Sequence, residues 1–163
     1  MSYTDVLNSS SGKNKKELKN LILSQDNTTT INLSVEESGS LVLLRNCGAA
    51  KLIDLPPASG NAGVYYDFLS HESLSAHATT IQAKDGTDYF IGTIADGEQA
   101  TTAQVAMAVG DAYDQFIIGA SAAGGEFEMR LVCDGDNWYV MFAISQDIGD
   151  ITGGTSSSNT RTV

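Results

Sequence analysis

Apolar residues recur at every second position along much of this chain, most clearly from Glu126 to Ser145. Phe127, Met129, Leu131 and Cys133 alternate with Glu126, Glu128, Arg130 and Val132, the period of a strand with one apolar face. Asp134-Gly135-Asp136-Asn137 follows, residue types that tolerate the positive φ of a tight turn. On the return, Trp138, Val140, Phe142 and Ile144 share one face, with Tyr139, Met141, Ala143 and Ser145 on the other. The alternation predicts a β-hairpin whose core side chains are Phe127, Met129, Leu131, Trp138, Val140 and Phe142, with its turn at the rim of a sandwich or barrel.

Upstream the same period repeats in shorter runs. Thr29, Ile31, Leu33 and Val35 alternate with polar neighbours, Glu36-Glu37-Ser38-Gly39 turns the chain, and Leu41 to Leu44 reads as a more fully buried strand. Ala50 to Leu55 is the next strand, ended by Pro56-Pro57, which cannot donate to a ladder and directs the following loop out of the sheet. Val64, Tyr66 and Phe68 alternate in another. Thr79 to Ala83 and Tyr89 to Gly92 read as two strands joined by a turn back at Lys84-Asp85-Gly86-Thr87. Residues 103 to 109 fit helix or strand, with the β neighbours favouring strand, and Asp114 to Ala120 adds one more. Roughly eight to ten short strands separated by Gly/Asp turns predict an all-β fold, a β-sandwich or barrel of jelly-roll-like type.

The two ends have a different pattern. Ser9-Ser10-Ser11-Gly12 can start a helix, and Leu18, Leu21 and Ile22 at i, i+3 and i+4 among Lys13, Lys15, Lys16 and Lys19 give it one narrow apolar stripe. Such a helix is marginal alone. It packs on its own domain, or it is an arm whose lysines face the acidic surface of a neighbouring subunit; the pattern leaves both open. From Asp147 onward Gly, Ser, Thr and Asn dominate, which predicts an extended, flexible tail. The expected organisation is therefore an N-terminal helical arm over 1–27, a β domain over 28–146 and a tail over 147–163.

Charge narrows the partners. The net charge is −11, and it is uneven: residues 1–30 carry 4 − 3 = +1, so residues 31–163 carry 5 − 17 = −12. A body this acidic repels phosphates and anionic membranes, so neither nucleic acid nor membrane is an expected partner. No apolar run has the length of a bilayer span, and the N-terminus is polar where a signal peptide carries its hydrophobic region, so the expectation is a soluble chain that is not exported by that route. Cys47 and Cys133 sit in apolar, strand-like settings and read as buried free thiols.

No catalytic constellation is visible. His71 and His77 are the two histidines, and no Cys or His cluster has metal-ligand spacing, so no metal or cofactor is expected. There is no phosphate-cradling glycine loop ahead of a helix, and Gly119-Ala120-Ser121-Ala122-Ala123-Gly124 lacks the spacing of a nucleophile elbow. The acidic residues cluster at turns, where solvation explains them. The expectation is a protein that is not an enzyme. Trp138, Tyr65, Tyr66 and Tyr89 could line a sugar groove, but the alternation of Trp138 with Val140 and Phe142 places that ring in the core.

Five stretches together resemble a pattern of tailed-bacteriophage virion proteins: Leu55-Pro56-Pro57-Ala58, Gly63-Val64-Tyr65-Tyr66-Asp67-Phe68, Thr80-Ile81-Gln82-Ala83, Phe90-Ile91-Gly92, and Leu131 to Val140 with its Asp134-Gly135-Asp136-Asn137-Trp138 turn. The resemblance covers about residues 41 to 145, departs in its doubled proline, and has no counterpart for the lysine-rich arm. It is closest to head decoration, or cement, proteins. That likeness implies a structural virion component on the outer capsid surface, made in the host cytoplasm, bound to the major capsid protein and to itself as a homotrimer, which stabilises the head by bridging capsid subunits. Lys13, Lys15, Lys16, Leu18, Lys19, Leu21 and Ile22 are then the expected capsid or subunit contacts. The alternative is a tail-fibre or tail-associated module that binds host surface glycans.

Overall fold

A computed structural model describes residues 21–23, 30–44, 49–70, 77–83, 88–96, 105–107, 113–118, 127–145 and 151–154. They form twelve strands: β1 (Leu21–Leu23), β2 (Thr30–Asn32), β3 (Leu41–Leu44), β4 (Lys51–Leu55), β5 (Tyr65–Ser70), β6 (Thr79–Ala83), β7 (Phe90–Asp96), β8 (Val105–Met107), β9 (Gln115–Ile118), β10 (Phe127–Cys133), β11 (Trp138–Ser145) and β12 (Ile151–Gly154). Among the described residues helix is confined to one 3-10 turn, Val35–Glu37, whose carboxylate Glu37 accepts from both the backbone N–H and the hydroxyl of Ser34.

The strands make two mixed sheets. Sheet A has the order β1-β3-β5-β10-β11-β7-β8, and sheet B the order β12-β9-β6-β4-β2. From β1 to β6 each strand lies in the sheet opposite its predecessor, so β1, β3 and β5 are mutually parallel in one sheet while β2, β4 and β6 are parallel in the other. Parallel neighbours need a crossover between them, and here each crossover is itself a strand of the facing sheet. Antiparallel pairing enters with β7–β8 and β10–β11 in sheet A and with β9 against β6 and β12 in sheet B. This alternation differs from a jelly roll, whose neighbours are antiparallel. It also overturns the expected β6–β7 hairpin, since those strands belong to different sheets: a turn signal reports a change of direction and does not name the strand that will pair.

Both sheets contribute to one core. Tyr66, Phe68, Met129, Leu131 and Trp138 from sheet A meet Ile53, Leu55, Ile81 and Phe116 from sheet B, all essentially without exposure. The ring centroids of Phe90 and Phe116 are 4.4 Å apart across the interface, and those of Tyr66 and Trp138 5.8 Å apart. Tyr66 donates its hydroxyl to the Ser34 carbonyl at 2.6 Å, and burial followed by the Glu37 charge pushes its phenol well above the usual range. Cys133 is a free, buried thiol whose pKa burial also raises, as read from its setting; Cys47 lies outside the described residues.

Two ends differ from their sequence readings. Leu21 and Ile22, expected to close a helix, belong to β1 and pair in parallel with Leu41 and Val42 of β3. A short helix with a narrow stripe is marginal, whereas strand pairing satisfies the backbone and packs Ile22 against the core. Lys13, Lys15, Lys16, Leu18 and Lys19 lie outside the described residues. At the other end β12 pairs with β9 inside the segment read as a tail, so the expected boundaries at 27 and 147 do not delimit the sheets.

The outward side of sheet B carries a polar row. Asn32, Asp54, Gln82 and Gln115 are register neighbours on four adjacent strands. Gln115 Nε2 donates to Gln82 Oε1 at 2.9 Å, and Gln82 Nε2 donates to Asp54 Oδ1 at 2.7 Å, so the donors point in one direction toward a carboxylate.

Candidate interaction face

The outward side of sheet A is built from the same strand alternation, with different residues. One register row runs Tyr65, Val132, Tyr139, Ile91, and a second runs Leu41, Asp67, Arg130, Phe142. At the centre Arg130 clasps Asp67 with two parallel hydrogen bonds, Nε to Oδ1 at 2.5 Å and Nη2 to Oδ2 at 2.6 Å. That bond holds the guanidinium firmly in its charged form. The same guanidinium lies 5.4 Å from the ring centroid of Tyr65 and 5.7 Å from that of Phe142, a planar cation flanked by two aromatic rings.

Phe142 owes its place here to a β-bulge. Arg130 pairs with Phe142 but Leu131 with Val140, so β11 has one more residue than β10 can match and Met141 is the unpaired one. The extra residue reverses the facing of Phe142 and Ala143. Ala143 turns inward, Met141 is 63% exposed and Phe142 37% exposed, so Phe142 is not the core residue that strict alternation predicts. Phe127, Met129, Leu131 and Trp138 do lie in the core, and Val140 packs half-buried against it. The neighbouring strand accommodates the bulge through Gly92, at φ +146, where an added Cβ would lie 2.6 Å from Val140 Cβ.

Among the described residues, four of the five large exposed apolar side chains, Leu21, Tyr139, Met141 and Phe142, lie on sheet A, with Val35 in the 3-10 turn as the fifth. Tyrosine, methionine, phenylalanine and arginine around a satisfied ion pair are the residue types enriched in protein interfaces, while Lys and Glu are depleted there. Glu128, exposed on β10, and Asp134 and Asp136, exposed in the hairpin turn, border the face. Asp134 Oδ1 accepts from the N–H groups of Asn137 at 2.7 Å and Asp136 at 2.8 Å, which holds its carboxyl below the usual range.

The rest of the hairpin end is structural. Asn137 Oδ1 accepts from the Tyr89 N–H at 3.2 Å, Gly60 N–H donates to the Gly135 carbonyl at 3.2 Å, and the Ala58 N–H donates to buried Asp88 at 2.6 Å. Tyr66 and Trp138, weighed as groove residues, are fully buried and cannot touch a ligand; Tyr65 is on the outer face of sheet A. Among the described residues no group of three or more His, Cys, Asp or Glu is placed to hold a metal ion. No helix among them is long and apolar enough to cross a membrane. Sequence reasoning missed this face because the signal for it, Met141 beside Phe142 at a break in alternation, reads as ordinary variation until the bulge is seen. No protein-family model matches this chain, and no curated protein matches it.

Proposed function

We propose that this chain is a structural assembly protein of the capsid decoration type, which binds the outer surface of a phage head through the outward face of sheet A and stabilises it by bridging capsid subunits. The observation that carries the reading is that face: Tyr139, Met141 and Phe142 are exposed on the sheet that carries the Arg130–Asp67 pair, with Phe142 against the guanidinium. A sheet with one apolar face inward needs no second apolar face unless something covers it. The resemblance of residues 41 to 145 to virion β-modules supports the same reading, and many weak contacts acting together would then resist bursting of the filled head. The protein acts as a homotrimer with the major capsid protein as its partner, and the lysine-rich segment with Leu18 anchors it once docked.

One observation favours a second reading, a glycan-binding module: Arg130, paired with Asp67, is flanked by the rings of Tyr65 and Phe142, the combination of ring and polar groups that sugars use. Those two polar groups already satisfy each other, which weakens it. The test is sedimentation of the purified protein with expanded heads that lack it, in parallel with host cell envelopes. Saturable binding to heads, lost in the double variant Met141→Glu, Phe142→Glu, is the expected result. Binding to envelopes and not to heads would replace decoration by receptor recognition.

A further inference from the structure

The outward face of sheet A continues past its two rows into a third, Leu43, Leu69 and Glu128. Glu128 is exposed and ends the apolar stretch on that side. Two residues along β10 stands Arg130, already clasped by Asp67, and beyond it Val132 leads into the hairpin turn with exposed Asp134 and Asp136. The Asp134 carboxylate reaches back to the face, where its bond with the Tyr139 hydroxyl raises that phenol above its ordinary pKa. Exposed Glu36 belongs to the same end, because the Gly39 N–H donates to the carbonyl of Tyr65, the register partner of Val132. Carboxylates therefore stand at both ends of the face, with apolar side chains between them. From Glu128 to Asp134 is six residues of nearly extended chain, about 20 Å.

Among the described residues no exposed lysine or arginine offsets these charges. Lys51 is buried on sheet B, and the charge of Arg130 is taken up by Asp67. Like charges set against one another across an interface suppress that pairing. A second copy meeting this face with its own would do so, each copy carrying −11, and a phosphate-rich surface is repelled in the same way. The occupant that this face admits has the opposite sign, and it brings apolar groups to cover Met141 and Phe142.

We propose that the outward face of sheet A docks a protein surface of complementary pattern: an apolar centre over Met141 and Phe142, flanked about 20 Å apart by lysine or arginine that meets Glu128 at one end and Asp134, Asp136 and Glu36 at the other. This rests on the reading of the face as a docking surface and names the chemistry of its partner. The apolar centre supplies the contact, and the flanking charges set its register and speed the encounter.

The probe is a synthetic peptide amide with two lysines at each end of a Leu-Thr-Val-Thr-Leu centre, which puts the inner lysines six residues apart. Its counterparts carry glutamate for lysine, or serine for the apolar residues. The full-length protein carries 13C in its methionine methyls, and the Met141→Leu variant identifies the Met141 signal. The lysine peptide is expected to shift that signal saturably and to leave the signal of buried Met129 in place. The glutamate peptide is expected to shift neither, and the serine peptide to bind at least about tenfold more weakly. Glu128→Gln with Asp136→Asn changes two exposed side chains and spares Asp134, which holds the turn. It is expected to weaken the lysine peptide about tenfold at about 50 mM salt, the difference closing towards about 1 M, where charges are screened within about 3 Å. An equal shift with either counterpart, binding that leaves Met141 unmoved, or an affinity indifferent to salt and to the double variant overturns the proposal. Binding to heads is measured separately at the same two salt concentrations. Heads bound equally tightly at both keep the function and remove this inference; a protein that takes the lysine peptide at Met141 and ignores heads does the reverse.

Discussion

The two outward faces of the sandwich come from one alternation and have opposite chemistry. On sheet B, Gln115, Gln82 and Asp54 hydrogen-bond one another along a directed row, so these side chains are paired without a partner. On sheet A, an ion pair satisfies Arg130 and Asp67, but exposed Met141 and Phe142 gain nothing from water. Side-chain amides in register can close a network internally, whereas apolar groups on an outer face are satisfied only by another surface. The difference between the two rows is therefore one between polar side chains already paired and apolar ones left exposed.

The largest expected effect is at the residue that makes sheet A unusual. Gly92→Ala is expected to cost about 2–4 kcal/mol, since the added methyl meets Val140 and the backbone sits at positive φ. Chemical denaturation measures it. A loss below the error of that measurement would mean that the bulge does not depend on Gly92, and the outward turn of Phe142 would need another cause.

Next comes the closed face. Gln82→Leu is expected to cost about 1–2 kcal/mol, because Gln115 loses its acceptor and Asp54 a donor. Gln82→Glu is expected to cost more at neutral pH, two carboxylates then being in contact, with the excess vanishing as pH falls below the carboxylate range. Equal losses at pH 7 would show that the row is not a directed network. On sheet A, Arg130→Ala is expected to cost about 1 kcal/mol, a partly exposed pair being screened by water, and Arg130→Lys to restore little of it because an ammonium cannot form the fork. Full recovery with lysine would reduce the site to a point charge.

The smallest effect is at the rim. Asp134→Ala is expected to cost under about 1 kcal/mol at neutral pH, as the carboxylate is exposed and its two backbone bonds compete with water. The carboxyl is held below its ordinary range in the folded state, so its contribution is present above that range and is lost as pH falls through the lowered value. The difference between wild type and variant therefore shrinks in acid. A difference that persists there would assign the effect to backbone conformation.

Much of the strand content was legible. The alternation in 127–133 matches β10 residue by residue, because one face of that strand is wholly inward. The Gly39 and Gly135 turns were legible too, since few residues adopt their positive φ. Three features were not. Leu21 and Ile22 fit a helical stripe as well as a strand, and a three-residue edge strand is decided by its neighbour β3. The order of pairing was hidden because turns carry no information about which sheet the next strand joins. The exposed face was hidden because one unpaired residue, Met141, inverts the facing of Phe142 and Ala143.

Composition and period, which are local properties, were enough to establish an all-β chain with an acidic body and a lysine-rich beginning. The parallel alternation of strands between two sheets, the amide row of sheet B and the apolar face of sheet A depend on contacts between residues far apart in sequence. Side chains such as Arg130, 63 positions from Asp67, acquire their role only when register sets them side by side. Local periodicity states which residues share a side of a strand; packing alone decides which side is covered.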